Sequence, residues 1–205
     1  MRIALLAFNG FNELDSLIAL GILNRVKRPG WEVALVCPEA RVRSMNGIVV
    51  EPHHASLAWA QGADAVLVGS GIQTRQVVED AALMGEMQFD SSRQLLGAQC
   101  SGALVLAKLG LLDGVPACTD LTTKPWVQAA GVTVLDQPLF ARGNVATAGG
   151  CLASSYLAGW VIARLAGVQE AAAALHYFAP VGEKEEYVAR AMGHIERYMP
   201  VAEPA

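Results

Sequence analysis

The chain is poor in charge and in aromatic rings. Charged residues make up 17% and aromatic residues 6% of its 205 positions, while hydrophobic residues make up 53%, a balance more apolar than that of an ordinary globular domain. A central sheet covered on both faces, or a large interface between subunits, accounts for such an excess. No window gathers the Lys and Arg that neutralising a phosphate backbone needs, and the net charge is −4, so nucleic acid is excluded as an expected ligand. Long apolar runs are lacking too. The N-terminal stretch reaches polar residues by Asn9, too early for a secretion signal or a membrane span, and the expected location is cytoplasmic. Cys37, Cys100, Cys118 and Cys151 stand far apart with no CxxC pair, which argues against a disulfide framework or a zinc knuckle. No metal and no organic cofactor are expected. Histidine is scarce: His53, His54, His176 and His194 all fall outside the loops that follow buried strands, where a Cys-His pair would need one.

What is present is an alternation of short apolar runs with helical patterns, the signature of a doubly wound α/β sheet. The length fits one domain over residues 1–205. Buried strands are expected over Arg2–Phe8, Trp31–Cys37, Ala63–Val68, Gln94–Gln99 and Val145–Ala148, and a helix over Leu14–Val26. Asn46-Gly47 predicts a hairpin within Ala40–Pro52. One helix is expected after Gly71 to about Met84, a second from about Gly85 to Leu96, and short strands over Pro116–Asp120, Val132–Leu135 and Phe140–Arg142. Two helices close the chain: Ser154–Ala166, almost wholly apolar and so buried, and Glu183–Tyr198, charged and so solvated.

The segment Leu95–Gly110, LLGAQCSGALVLAKLG, carries the chemistry. Cys100 sits between an apolar run and a small-residue helix pattern, as in a nucleophile elbow, whose strained turn is tolerated when Ala98, Ser101, Gly102 and Ala103 surround it. A thiol at a helix N-terminus is expected to ionise more readily. The alternative is a small buried hydrophobe, the commonest state of a free cysteine. Two more loops fall beyond the carboxyl ends of strands, where open parallel sheets bind ligands. FNGFNELD supplies Glu13 and Asp15, either of which would serve as an acid facing the thiol or merely cap a helix. VLVGSGIQ offers the Gly71 amide, which with the Ser101 amide would make a donor pair for a developing negative oxygen. Gly149-Gly150-Cys151 is a third turn at that edge, read as structural, and Thr147 is a possible polar contact.

These motifs together resemble the ThiJ/PfpI superfamily, related to class I glutamine amidotransferases. The likeness rests on the first apolar strand, NELD, VGSG, the elbow AQCSGALVLAKLGLLDG, and GNVATAGG before an apolar helix. It implies a flavodoxin-like three-layer sandwich with a mostly parallel central sheet, helices on both faces and a nucleophile elbow. It also implies a reactive Cys100 hydrogen-bonded to an acid of the first loop. Leu-Asp before an apolar helix is most similar to the isocyanide hydratase branch, and on that match the acid is Asp15. The resemblance implies a homodimer acting on a small molecule as a hydratase or hydrolase, with Glu13, Ser70, Asp120 and Thr147 as possible pocket residues. The chain departs from the pattern in reading Gly69-Ser70-Gly71 for Pro-Gly-Gly, Ser101 for a threonine, and Asp120 for a histidine. The last change disfavours a Cys-His mechanism. Other expectations are a non-enzymatic oxidative-stress sensor acting through Cys100, or a degenerate ligand-binding domain.

Overall fold

A computed structural model describes residues 1–200. In chain order the elements are β1 (Arg2–Leu6), α1 (Glu13–Leu23), β2 (Glu32–Val36), β3 (Val42–Arg43), β4 (Val49–Val50), α2 (Ala58–Gln61), β5 (Ala65–Val68), α3 (Thr74–Glu79) and α4 (Ala81–Gly85). They continue with β6 (Leu95–Gln99), α5 (Gly102–Lys108), α6 (Lys124–Ala129), β7 (Leu139–Arg142), β8 (Val145–Ala148), α7 (Ser154–Ala166), α8 (Val168–Phe178) and α9 (Lys184–Ile195). The central sheet has six strands in the order β2-β1-β5-β6-β8-β7, and β3 pairs with β4 in a separate antiparallel ribbon. Every pairing in the central sheet is parallel except β7 with β8. The mostly parallel sheet covered by helices on both faces is the architecture the motifs imply.

Side-chain alternation explains the two covered faces. Ile3 and Leu5 of β1, Val33 and Leu35 of β2, and Ala65 and Leu67 of β5 point into one core. Their neighbours Ala4, Leu6, Ala34, Val36, Val66 and Val68 point into the other, as the period of two along a strand requires. The first core is closed by α1, α7, α8 and α9, with Trp160, Ile162, Leu175 and Ile195 fully buried there. The second is closed chiefly by α5, through Leu104 and Leu106.

Several expected elements are absent or displaced. Residues 86–94 are turns and loop, not a helix to Leu96: Gln94 there spends its side-chain amide on the carbonyls of Ala60 and Ala63, while Asp90 makes a local turn with Ser92 and Gln94. The expected strands at 116–120 and 132–135 reduce to a single bridge between Ala117 and Val134. Pro125 stands in the first turn of the short helix α6, a position proline favours. The alanine-rich α8 completes the C-terminal helices.

Candidate active site

The polypeptide reverses direction at Cys100, and the backbone shows the cost. Cys100 has φ 45°, the only positive φ of a non-glycine residue among the described residues, a conformation that costs roughly 1–3 kcal/mol. Its neighbours hold it there. The Cys100 amide donates to the Ala148 carbonyl at 2.8 Å, and the Cys100 carbonyl accepts from Thr119 Oγ1 at 2.8 Å and the Ala103 amide at 3.1 Å. Gly102 lets α5 start directly against the sheet, since a Cβ there would press into the Val68 carbonyl oxygen. The strand-turn-helix geometry expected of an elbow is thus built from a fully buried β6 and small residues at its exit.

A cavity of about 400 Å³ opens over this turn, lined among others by Asn12, Ser70, Gly71, Cys100, Ser101 and Asp120. The Gly150 amide donates to Cys100 Sγ at 3.2 Å, and Gln99 Nε2 lies 3.5 Å from the same sulfur while donating to the Gly150 carbonyl at 2.8 Å. Gly150 has φ 88°, which a side chain would strain, so its amide can turn toward the thiol. The Gly149-Gly150 turn, read from sequence as structural, therefore supplies the sulfur's nearest backbone donor. Its sequence signal was the pair of glycines after β8, on the strand that neighbours β6.

The Gly71 amide, expected to face the cavity with that of Ser101, instead donates to Ser101 Oγ at 3.0 Å. Ser101 Oγ also pairs with Thr74 Oγ1 at 2.8 Å. The Ser101 hydroxyl thus ties the glycine turn to the elbow helix.

Asp15 is 1% exposed, and its carboxylate accepts from Ser70 Oγ at 2.5 Å and Ser16 Oγ at 3.3 Å. Burial pushes its pKa up to about 6, against the opposing pull of those serines. Among the described residues no hydrogen bond joins Asp15 to Cys100; the two interact through charge. The helix cap belongs to Asn12, whose Oδ1 accepts from the Leu14 amide at 3.1 Å, which leaves Asp15 free of that task. The expected fall in the thiol pKa does not occur. Burial first, and the Asp15 charge second, push Cys100 up to about 12, outweighing the Gly150 amide.

Asp120 reaches the cavity wall but turns its Oδ1 to the amides of Thr122 and Thr123, both at 2.9 Å, ordering the approach to α6. Glu13 and Thr147 do not line the cavity. Glu13 is drawn below its ordinary pKa mainly by its own backbone amide, then by Asn46 and Ser44. Thr147 Oγ1 accepts from the Cys118 amide at 2.8 Å in the core. No histidine lines the cavity, and no group of three or more His, Cys, Asp or Glu side chains suited to a metal occurs among the described residues. Met45, Trp126 and Cys151 add to the wall from the β3–β4 ribbon, α6 and the turn after β8. Sequence periodicity gives no sign of these because the loops that carry them meet only in three dimensions.

The fold is shared with solved structures. A ThiJ/PfpI family protein from Pseudomonas syringae matches at TM-score 0.78 and 18% identity, over 96% of this chain and 88% of its own. Schizosaccharomyces pombe DJ-1 matches at TM-score 0.75 and 15% identity, over 88% of this chain and 100% of its own. A DJ-1 superfamily protein from Salmonella typhimurium, solved as a cysteine-to-alanine mutant, matches at TM-score 0.73 and 25% identity, over 87% of this chain and 98% of its own. No curated protein matches the chain significantly by sequence. The family model that does match spans residues 1–163, from β1 through the elbow and the glycine turn into α7, and the chain accordingly belongs to the DJ-1/PfpI family.

Proposed function

We propose that the protein is a cysteine-dependent hydratase or hydrolase of small electrophiles, similar to isocyanide hydratases, within a family that includes cysteine-based hydratases and oxidative-stress sensors. The observation that carries this reading is the strained Cys100 lining a cavity, with a buried acid of raised pKa close enough for its charge to act on the thiol. With Cys100 near 12 and Asp15 near 6, the resting pair at neutral pH is a thiol and a carboxylate. Attack then couples bond formation to proton transfer: as Sγ bonds the isocyanide carbon, the thiol proton passes to Asp15 and on to that carbon, leaving a thioimidate. Water adds to the thioimidate carbon, the C–S bond breaks, and the sulfur regains a proton as the N-formamide leaves. Ser70 supports the route, since its hydroxyl lines the cavity and donates to Asp15. The Gly150 amide supports it by facing the sulfur. A homodimer is part of the reading, favoured by the exposed Leu14 and Leu17 of α1 beside the exposed Leu152.

The test is turnover of an isocyanide and α-oxoaldehyde panel by wild type and Cys100→Ala. Formamide or hydroxyacid product from wild type, lowered at least roughly a thousand-fold in the variant, is the expected result. Full turnover by Cys100→Ala would sink the proposal. A second reading, oxidative sensing, draws on the same sulfur and its two donors; an oxidised Toxoplasma gondii DJ-1 shares the fold at TM-score 0.74 and 17% identity.

A further inference from the structure

The cavity holds a second sulfur that the proposed reaction does not use. Cys151 lines the same wall as Cys100. It is half-buried, whereas Cys37 and Cys118 are fully buried. Its Sγ accepts a hydrogen bond from Asn12 Nδ2 at 3.2 Å, which holds it at the start of α1. The preceding residue, Gly150, has its amide nitrogen 3.2 Å from Cys100 Sγ. Cys151 follows directly, about 3.8 Å further along the chain between consecutive Cα atoms, and its side chain shares the cavity wall with Cys100. A disulfide asks for Cα atoms roughly 4.4–6.8 Å apart. The glycine pair at 149–150, with Gly150 in a conformation glycine adopts freely, gives the turn the backbone freedom that such a closure would draw on.

We propose that Cys151 is the resolving partner of Cys100, so that peroxide converts the pair to an intramolecular disulfide that closes the site reversibly. Hydrogen peroxide oxidises the Cys100 thiol to a sulfenic acid and is reduced to water. The Cys151 sulfur then attacks the sulfenic sulfur, the S–O bond breaks, the S–S bond forms, and the hydroxyl leaves as a second water with the Cys151 proton. The disulfide removes the nucleophile and stops the sulfur short of sulfinic acid, the step that thiols cannot reverse. Cys37 and Cys118 have no place in this exchange, because neither reaches the cavity.

The inference stands on geometry and not on the hydratase reading, and its test needs no substrate. The reduced full-length protein is treated with graded hydrogen peroxide, its remaining thiols are alkylated, and intact mass is combined with peptide mapping. The expected product is a monomer-mass chain lighter by two hydrogens, with one peptide pair joining Cys100 to Cys151 and full recovery with dithiothreitol. In Cys151→Ser the crosslink disappears and Cys100 gains two oxygens that dithiothreitol does not remove. Wild-type Cys100 reaching sulfinic acid while Cys151 stays alkylatable, a crosslink to another cysteine or between two chains, or no oxidation of Cys100 would each overturn the inference. Loss of hydratase turnover in the reduced protein with the crosslink still forming would sink the functional reading alone.

Discussion

The four cysteines divide the molecule into two regions that ionisation alone does not distinguish. Cys37 and Cys118 lie in the packed interior and Cys100 lies at the carboxyl edge of the sheet, yet burial pushes all three up to about 12. What separates the edge from the interior is partners and access. Cys37 lies beyond the end of β2 with its amide bound to the His54 carbonyl. Cys118 hangs beneath Thr147. Cys100 has a left-handed backbone, a cavity above it, the Gly150 amide on its sulfur and the Asp15 charge beside it. Cys100 is therefore set apart from the interior cysteines by its cavity and its hydrogen-bond partner, and not by its ionisation.

That contrast is open to direct attack. The largest effect is expected in native alkylation with iodoacetamide at pH 8, followed by mass-spectrometric mapping. Cys151 and Cys100 should label at least about a hundred-fold faster than Cys37 and Cys118, whose exposure waits on local or global opening. Equal rates for all four would erase the distinction between edge and interior. A smaller effect concerns the acid. Because burial raises Asp15 from 3.8 to about 6, the folded state holds that proton more tightly than the unfolded chain. Asp15 therefore costs nothing below its ordinary pKa, and its charge erodes stability as pH rises from about 4 through 6, by about 3 kcal/mol in full. Asp15→Asn, neutral throughout, should be more stable than wild type by about 1–3 kcal/mol at pH 8 and nearly equal to it near pH 3.5. Denaturant unfolding at the two pH values checks this, and no gain at pH 8 would show that Asp15 carries no buried charge.

The sequence made the frame of this site readable because its parts follow from local rules. Alternating apolar strands with small residues after β6 specify an elbow, and Leu14 and Leu17 through Ile22 specify the helix that carries Asp15. The hairpin of β3 and β4 followed from Asn46-Gly47. The walls were not readable in this way. Gly71 as a cavity donor failed because a serine hydroxyl thirty residues away claims its amide, a pairing with no local signature. The Gly150 amide on the sulfur has no local signature either, because a glycine turn after a strand reads the same whether it faces solvent or a thiol. The expected helix to Leu96 failed because tertiary hydrogen bonds from Gln94 overrode local propensity. Thiol acidity is not legible for a related reason: desolvation, the largest influence on Cys100, depends on the whole surrounding core, whereas a helix terminus is visible in sequence.

The central proposal is that Asp15 and the Cys100 thiol act as one proton-transfer pair beside the cavity. The measurement that tests it most directly is the pH dependence of Cys100 alkylation in wild type and Asp15→Asn, followed by mass at Cys100. Removing the carboxylate removes the second-largest influence holding the thiol up, so the variant's rate profile should shift to lower pH. Superimposable profiles would contradict the account.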